Sequence, residues 1–464
     1  MSKLFKNLEK FKDKIALIGP DEKEYSYNDV LSKIKSINLI IKNRSLVLII
    51  ASNNVVSIMG YISFIRSNHV SILLDKSFKS EYAKKIIKKY KPNYIFCPIG
   101  YLGEIEKKYN IFTFQDYNLI KTNFKKHHKI NKQNLLLLST SGTTQNPKFV
   151  RLSDKNLLDN TRNIVEYLNI ESNHTTITTM PMGYSYGLSI INTHLETGSK
   201  IIVNNNSIFE RKFWKKLKKY RVTSFGGVPQ FYEQLRKVKF ENFNFPSLKY
   251  FTQAGGKLDE NSLNYFGQIC KRQNKKFIVM YGQAEAGPRM SYLEWNKFYN
   301  KIGSIGKPLR GSKFKIISDT GRQIKKPFFV GELIYFGKNV SLGYAKNLKD
   351  LRKGDINKGK LFTGDLAYID NDNYYFIRGR KNRISKIFGI RIDLDDIEKE
   401  LKKNSYKVKC VPDNQYLKIL IMRNYNIETI RKIIQRYYGI NKNFIHILKI
   451  DKFVNTNYFK EIKN

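Results

Sequence analysis

The chain has 464 residues, with 84 Lys and Arg against 39 Asp and Glu, a formal net charge of +45, and 41% hydrophobic residues. That length implies two to four folding units, and the apolar share excludes a disordered or low-complexity polymer. The positive charge would suit an anionic partner, but the lysines are scattered and accompany abundant Asn, Ile, Tyr and Phe; with no basic block interleaved with aromatics and no helix-turn-helix or zinc-finger pattern, no nucleic-acid partner is expected.

In chain order, MSKLFKNLEKFKDKIALIG lacks an unbroken apolar core and a small-residue cleavage site, so no signal peptide is expected. Leu46–Ala51 (LVLIIA) predicts a buried strand and Val55–Arg66 a helix; the polar residues Ser52, Asn53 and Asn54 between them argue against a membrane span. Val70–Leu74 and Tyr94–Cys97 predict two more strands, and the alternation of strands with helical segments predicts a parallel α/β layer. The pattern resumes with strand Asn134–Leu138, helix Asn156–Leu168, and strands Thr175–Met180, Lys200–Val203, Thr223–Gly226, Tyr250–Gln253 and Phe277–Met280. From about Gly311 the texture turns antiparallel: Lys313–Ser318, Gly331–Phe336, Leu361–Asp370 and Tyr374–Arg378. The charged, glycine-led stretch 379–383 (GRKNR) predicts a hinge between a large domain, 1–378, and a small one, 384–464, built on helix Leu394–Lys403, strand Leu417–Arg423 and helix Glu428–Tyr438. The fold class expected is α/β: a large N-terminal domain of layered α/β subdomains with a small β-barrel-like part, followed by a small mobile C-terminal α+β domain.

Cys97, Cys270 and Cys410 are too few and too far apart for a disulfide framework or a zinc site, and the six histidines form no H-x-x-x-H pair. A reducing, cytoplasmic setting is expected, with peripheral membrane contact left open. The strongest local signal is LLLLSTSGTTQNPKFV, Leu135–Val150. A strand of four leucines enters a turn of hydroxyls, backbone N–H groups and one glycine, followed by Lys148; this is the chemistry of an anion nest, and equally that of a polar surface loop. It is not a Walker loop, because no Gly-Lys-Ser/Thr closes it.

The order Thr-Ser-Gly-Thr-Thr-x-x-Pro-Lys resembles the phosphate loop of the adenylate-forming (ANL) superfamily, which holds acyl-CoA synthetases, nonribosomal-peptide adenylation domains and luciferase-like AMP-binding enzymes. Tyr281–Glu285 (YGQAE), Leu361–Asp365 (LFTGD), the Gly379–Arg380 hinge with Lys386, Gly389 and Glu398, and the C-terminal IDKFVNTNYFKEI follow in that family's order, with weaker matches at Leu74–Asp75, Pro181–Leu188, Gly255–Gly256 and Gly343–Tyr344. The resemblance implies an ATP- and Mg²⁺-using acid–thiol ligase. Thr140, Ser141, Gly142, Thr143, Thr144 and Lys148 would hold phosphate, with Thr143 also catalytic. Gly255, Tyr281 and Gly282 would border the nucleotide, Asp365 would take the ribose hydroxyls, Arg380 the phosphates, and Glu285 the metal. Lys460 would be the adenylation lysine, Asn382 the hinge, and Tyr184, Ser185 and Gly256 would meet the acid. The acid would be fatty or another non-amino acid, because Pro181–Leu188 offers no carboxylate for an α-ammonium. Coenzyme A or the phosphopantetheine of an acyl carrier protein would accept the acyl group.

Gln145 and Phe149 stand where the family has glycine, Ala284 where it has threonine, Asn382 where it has the hinge aspartate, and Val454 and Phe459 where it has proline and glycine. These departures motivate two rival readings: a non-catalytic nucleotide- or acyl-binding descendant, and an amino-acid-activating ligase.

Overall fold

The computed structural model describes residues 2–124, 128–139, 148–318, 320–381, 384–387, 390–411, 413, 416–422 and 424–450. They form two compact units, one running through residue 381 and one over 384–450.

The first unit contains three sheets. One has nine strands, and its centre is parallel: Lys276–Tyr281, Tyr250–Gln253, Ser224–Gly227, Thr175–Ile177, Lys200–Ile202 and Ile15–Ile18, side by side in that order. Antiparallel strands close both edges, Glu24–Ser26 at one and Ser291–Tyr292 with Lys307–Pro308 at the other. A second sheet of eight strands has Leu46–Ala51, Val70–Asp75, Tyr94–Pro98 and Leu136–Ser139 parallel at its centre. Leu46–Ala51 and Val70–Asp75 are buried at every residue, which is why they read as unbroken apolar runs: both faces are covered. The third sheet is antiparallel, with five strands: Gln323–Ile324, Lys313–Ile317, Gly331–Phe336, Lys360–Ile369 and Tyr375–Arg380.

Several helices start where the sequence supplies caps. Ser26 and Asp29 cap Tyr27–Ile40 reciprocally, Asn54 caps Val55–Arg66, and Ser153 with Asn156 caps Asp154–Leu168. The predicted strand Thr175–Met180 ends at Ile177, because Pro181 and Gly183 turn the chain into helix Ser185–Glu196. The parallel layer was expected; its antiparallel edges, including Asn110–Phe114 and Tyr117–Lys121, were not. Short edge strands carry only a few alternating residues, too few to set a period.

Arg151, fully buried in strand Phe149–Leu152, donates from its guanidinium to the carbonyls of Lys353 (2.5 Å), Leu342 (2.6 Å) and Gly354 (3.1 Å). It fastens the 342–354 segment to the second sheet.

The second unit pairs Ile384–Ile387 with Ile390–Asp393 and packs helices Leu394–Lys403 and Ile427–Tyr438 with a three-stranded sheet of Val408–Val411, Leu417–Met422 and Ile445–Ile450. Ile397, Leu401, Ile419, Ile430 and Ile434 form its core. Cys97, Cys270 and Cys410 are free and buried. Among the described residues no helix is long and apolar enough to cross a membrane.

Two buried histidines of the first unit set a pH dependence. Burial, reinforced by the charge of Arg44, pushes His69 down to about 4; burial likewise pushes His194 down to about 4, against the Ile190 carbonyl that its Nδ1 meets. The unfolded chain binds these protons at a pH where the folded chain does not. Stability is therefore full above about pH 6.5 and falls as pH drops toward 4. Thermal melts from pH 7.5 to 4.5 should show this decline, and His69→Gln should make it shallower; an equal slope in both proteins would refute the assignment.

Candidate functional site

The candidate site gathers at the carboxyl ends of four neighbouring parallel strands, where open α/β sheets bind ligands. Tyr281 ends the first of these strands. Gly255 and Gly256 follow the second, Gly227–Pro229 the third, and Tyr184 and Ser185 stand beyond the fourth, at the start of helix Ser185–Glu196.

The Tyr281–Glu285 segment organises the rest. Gly282 lies so close to Pro288 that an added Cβ would sit 1.8 Å from the Pro288 carbonyl oxygen. Only glycine permits that approach, and the turn it forms sends alternate side chains to different partners. Tyr281 and Gln283 reach Asp365: the phenol donates to Oδ2 at 2.5 Å and the amide donates to the same oxygen at 2.9 Å. Arg380, directly across the strand pair from Asp365, places its Nε 2.9 Å from Oδ1. Burial, the Asp365 charge and the hydrogen bond to it together hold the Tyr281 phenol well above its usual acidity range. A carboxylate offers about four lone-pair sites; three are engaged here by Tyr281, Gln283 and Arg380.

Glu285 points elsewhere. It is 3% exposed and sits on the short helical turn Ala284–Ala286, where the Tyr344 phenol donates to its Oε1 at 2.6 Å. Tyr344 lies on strand Tyr344–Ala345, which pairs with Phe149–Leu152 and places Tyr344 opposite Val150. Lys148, one residue before that strand, holds its ammonium 4.7 Å from the centre of the Tyr344 ring. Tyr344 therefore touches both the lysine that closes the hydroxyl-rich loop and the acid of the Tyr281 segment. Ser139 and Phe149 pair across the ends of that loop. Phe149, which stands where the family has glycine, is a fully buried core residue lying edge-on to Tyr90.

Arg380, expected to face phosphates, is paired with Asp365 in this structure. Gly255 has φ +89° and lies against Val228, while Gly256 lies against Pro229 and accepts from Gln253 Nε2 at 2.8 Å. Pro181–Leu188 has no carboxylate of its own, but Asp75 comes to it from strand Val70–Asp75: a Cβ on Gly183 would lie 2.6 Å from Asp75 Oδ2. That acid raises the Tyr184 phenol, with burial the larger cause, to about 12. The expected Thr140, Ser141, Gly142, Thr143, Thr144, Asn382 and Lys460 lie outside the described residues.

Gln283, Tyr344 and Arg289 were not singled out by sequence. Gln283 and Tyr344 stood inside matched segments, and a polar residue beside a carboxylate-bearing turn was the available signal. Arg289 is 3% exposed and lines a pocket beneath helices Asp154–Leu168 and Ser185–Glu196.

Residues 4–345 match the family model described as "AMP-binding enzyme". The chain is 27% identical over 268 residues to the oxalate–CoA ligase of Arabidopsis thaliana, covering 57% of this chain and 51% of that one. It is 28% identical over 306 residues to a long-chain-fatty-acid–CoA ligase of Bacillus subtilis, covering 64% and 53%. The chain spans about half the length of the curated relatives it matches. Its fold matches the o-succinylbenzoate CoA synthetase of Bacillus subtilis with a TM-score of 0.79 and 17% identity, over 98% of this chain and 96% of that one.

Gly282→Ala should lower the stability of the first unit by about 3 kcal/mol or more, because backbone rather than a movable side chain blocks the methyl. Gly379→Ala, where an added Cβ meets nothing within 4 Å, should stay within about 0.5 kcal/mol. Urea melts compare the two, and equal losses would sink the argument.

Proposed function

Because the chain belongs to the AMP-binding enzyme family, we propose that it uses ATP to activate a carboxylic acid as an acyl-adenylate and then passes the acyl group to a thiol. The observation that supports this most is the Tyr281–Glu285 turn, which meets the Asp365–Arg380 pair with its first residues and, through Glu285 and Tyr344, the lysine of the hydroxyl-rich loop.

In this reading Asp365 accepts from the ribose hydroxyls. Three of its sites are already engaged, so Arg380 turns from Asp365 to the phosphates as nucleotide enters. A guanidinium fork suits phosphate oxygens, and the exchange returns a lone pair to Asp365. Lys148 and the Ser141–Thr144 hydroxyls hold the phosphate tail. Among the described residues no cluster of three His, Cys, Asp or Glu could cage a metal. A single buried carboxylate such as Glu285 suits Mg²⁺, which binds through one or two carboxylates plus substrate phosphates. When bound there, the ion offsets phosphate charge.

The acid's carboxylate oxygen attacks the α-phosphorus in line. Its bond to phosphorus forms as the bond to the bridging oxygen breaks, and pyrophosphate leaves. Lys460 offsets the charge that grows between the two reactants. In the second half-reaction a thiolate sulfur attacks the acyl carbonyl, AMP leaves, and the thiol proton goes to solvent. The acids named for the relatives run from oxalate to long-chain fatty acid, and both relatives are CoA ligases, which favours coenzyme A as acceptor; carrier-bound phosphopantetheine offers the same thiol. The second unit turns about Asn382 between the two half-reactions.

Acid-dependent ATP–pyrophosphate exchange tests the reading. The expected result is exchange with at least one acid, suppressed by Lys460→Ala roughly 100-fold, while thioester formation from preformed acyl-AMP largely survives. ATP binding without exchange for any acid would instead favour a non-catalytic nucleotide-binding protein. Tyr344→Phe keeps the ring beneath Lys148 but removes the donor to Glu285. It should raise the Mg²⁺ concentration needed for half-maximal exchange about 10-fold; an unchanged requirement would remove Tyr344 from the metal's support.

A further inference from the structure

A large apolar side chain exposed singly needs no explanation; three in a row at one turn do. Phe328, Phe329 and Val330 fill the loop between strands Gln323–Ile324 and Gly331–Phe336 and are 60%, 52% and 46% exposed. Lys325 and Lys326, both exposed, precede them. The loop has a fixed shape. The Phe328 N–H donates to the Ile369 carbonyl at 2.8 Å, which ties the loop to the end of strand Lys360–Ile369. Phe328 takes φ +65° there, a region that bulky residues rarely adopt.

The tip continues into the outer face of the antiparallel sheet. Along strand Lys360–Ile369, Leu361, Thr363, Asp365 and Ala367 are buried, and the residues alternating with them face the other way. Phe328 lies 5.9 Å from Tyr368 on that face, and Tyr368 stacks on its cross-strand partner Phe376 at 5.0 Å. Phe336 stands in register between Lys313 and Lys360, beside the exposed Phe362. Cations accompany these rings: Lys326 is 4.8 Å from the centre of Phe329, Arg378 4.7 Å from Tyr368 and Lys360 4.4 Å from Phe362. The acids nearby are already paired, Glu332 with Lys381 at 2.9 Å, and Asp370 and Asp372 with Lys301.

An apolar face edged with cations suits an anionic partner, and its details separate two kinds. Single-stranded nucleic acid stacks its bases on free ring faces. Here a Lys or Arg already lies over Phe329, Phe362 and Tyr368, Phe376 is stacked on Tyr368, and Val330 has no ring. An anionic lipid surface asks for apolar side chains that enter the headgroup boundary. It also asks for long cationic side chains whose stems run beside them while the charge stays with the phosphates. The formal charge of +45 draws the chain toward any such surface, and the apolar tip selects the side that meets it.

We propose that the first unit docks reversibly on anionic lipid surfaces through this face: Phe328, Phe329 and Val330 enter the headgroup boundary, and Lys325, Lys326, Lys360 and Arg378 meet lipid phosphates. The contact is peripheral, since among the described residues no helix is long and apolar enough to cross a membrane. Three side chains are a small apolar insertion, so attachment needs the charges as well, and both are lost together in high salt only as far as the charges carry them. The proposal is independent of the acyl-adenylating reading above.

Vesicle flotation with the full chain tests it, using phosphatidylcholine vesicles with and without phosphatidylglycerol. The expected result is binding to the anionic vesicles, weakened by salt, and little to the neutral ones. A triple variant, Phe328→Asn with Phe329→Ser and Val330→Ser, should lower the partition coefficient roughly 10-fold or more; asparagine suits the positive φ at 328. Lys325→Gln with Lys326→Gln should lower it roughly fivefold per charge. Leu39→Ser, which removes a still more exposed apolar residue on helix Tyr27–Ile40, should leave it unchanged. Thermal melts establish that each variant folds. Binding to neither vesicle, equal binding to both, or an equal loss in Leu39→Ser overturns the inference. So does a triple variant that keeps its vesicle binding but loses binding to an oligouridine, which would assign the face to nucleic acid. Should the triple variant not fold, the lysine pair and the wild-type preference between vesicles decide.

Discussion

The approach of Gly282 to the Pro288 carbonyl is the constraint on which the site depends. It leaves no room for a Cβ and so brings the end of a buried parallel strand into a tight turn. Three alternate residues leave that turn in two directions. Tyr281 and Gln283 meet one carboxylate, Asp365, and Glu285 presents another beside Tyr344. Two acids are thereby held close in sequence yet engaged by separate partners, so neither depends on the other for its hydrogen bonds.

The hydroxyl-rich loop is tied to the turn through side chains from a different sheet. Its ends are closed by the pairing of Leu136–Ser139 with Phe149–Leu152, and the buried Phe149 ring secures the second end in the core. Tyr344 extends this sheet by one strand and bridges to Glu285, with Lys148 over its ring. Arg151, beneath the same strand, donates to three carbonyls of the 342–354 segment and so fixes where Tyr344 emerges. A departure from the family pattern, phenylalanine for glycine, is here a packing anchor.

The pocket under the helices follows a different logic. Most of its polar groups are satisfied internally, as with the Tyr186 hydroxyl that donates to the Thr252 carbonyl at 2.8 Å. The Tyr250 hydroxyl, with no partner in hydrogen-bond geometry, is the exception.

Sequence by itself determined the central strands, because a strand buried on both faces must be apolar throughout, and LVLIIA and LLLL say so without context. It also placed Lys148, Glu285, Asp365 and Arg380, whose residue types and order resemble one family's motifs. What it could not determine were the partners. Tyr344 reaches Glu285 across 59 residues, Asp75 comes to Gly183 from 108 residues away, and Arg289 lies against Tyr186 across 103. No local periodicity records such pairings. They arise only when strands from distant parts of the chain align in a sheet, and the cost of burying a charge depends on what that alignment brings beside it.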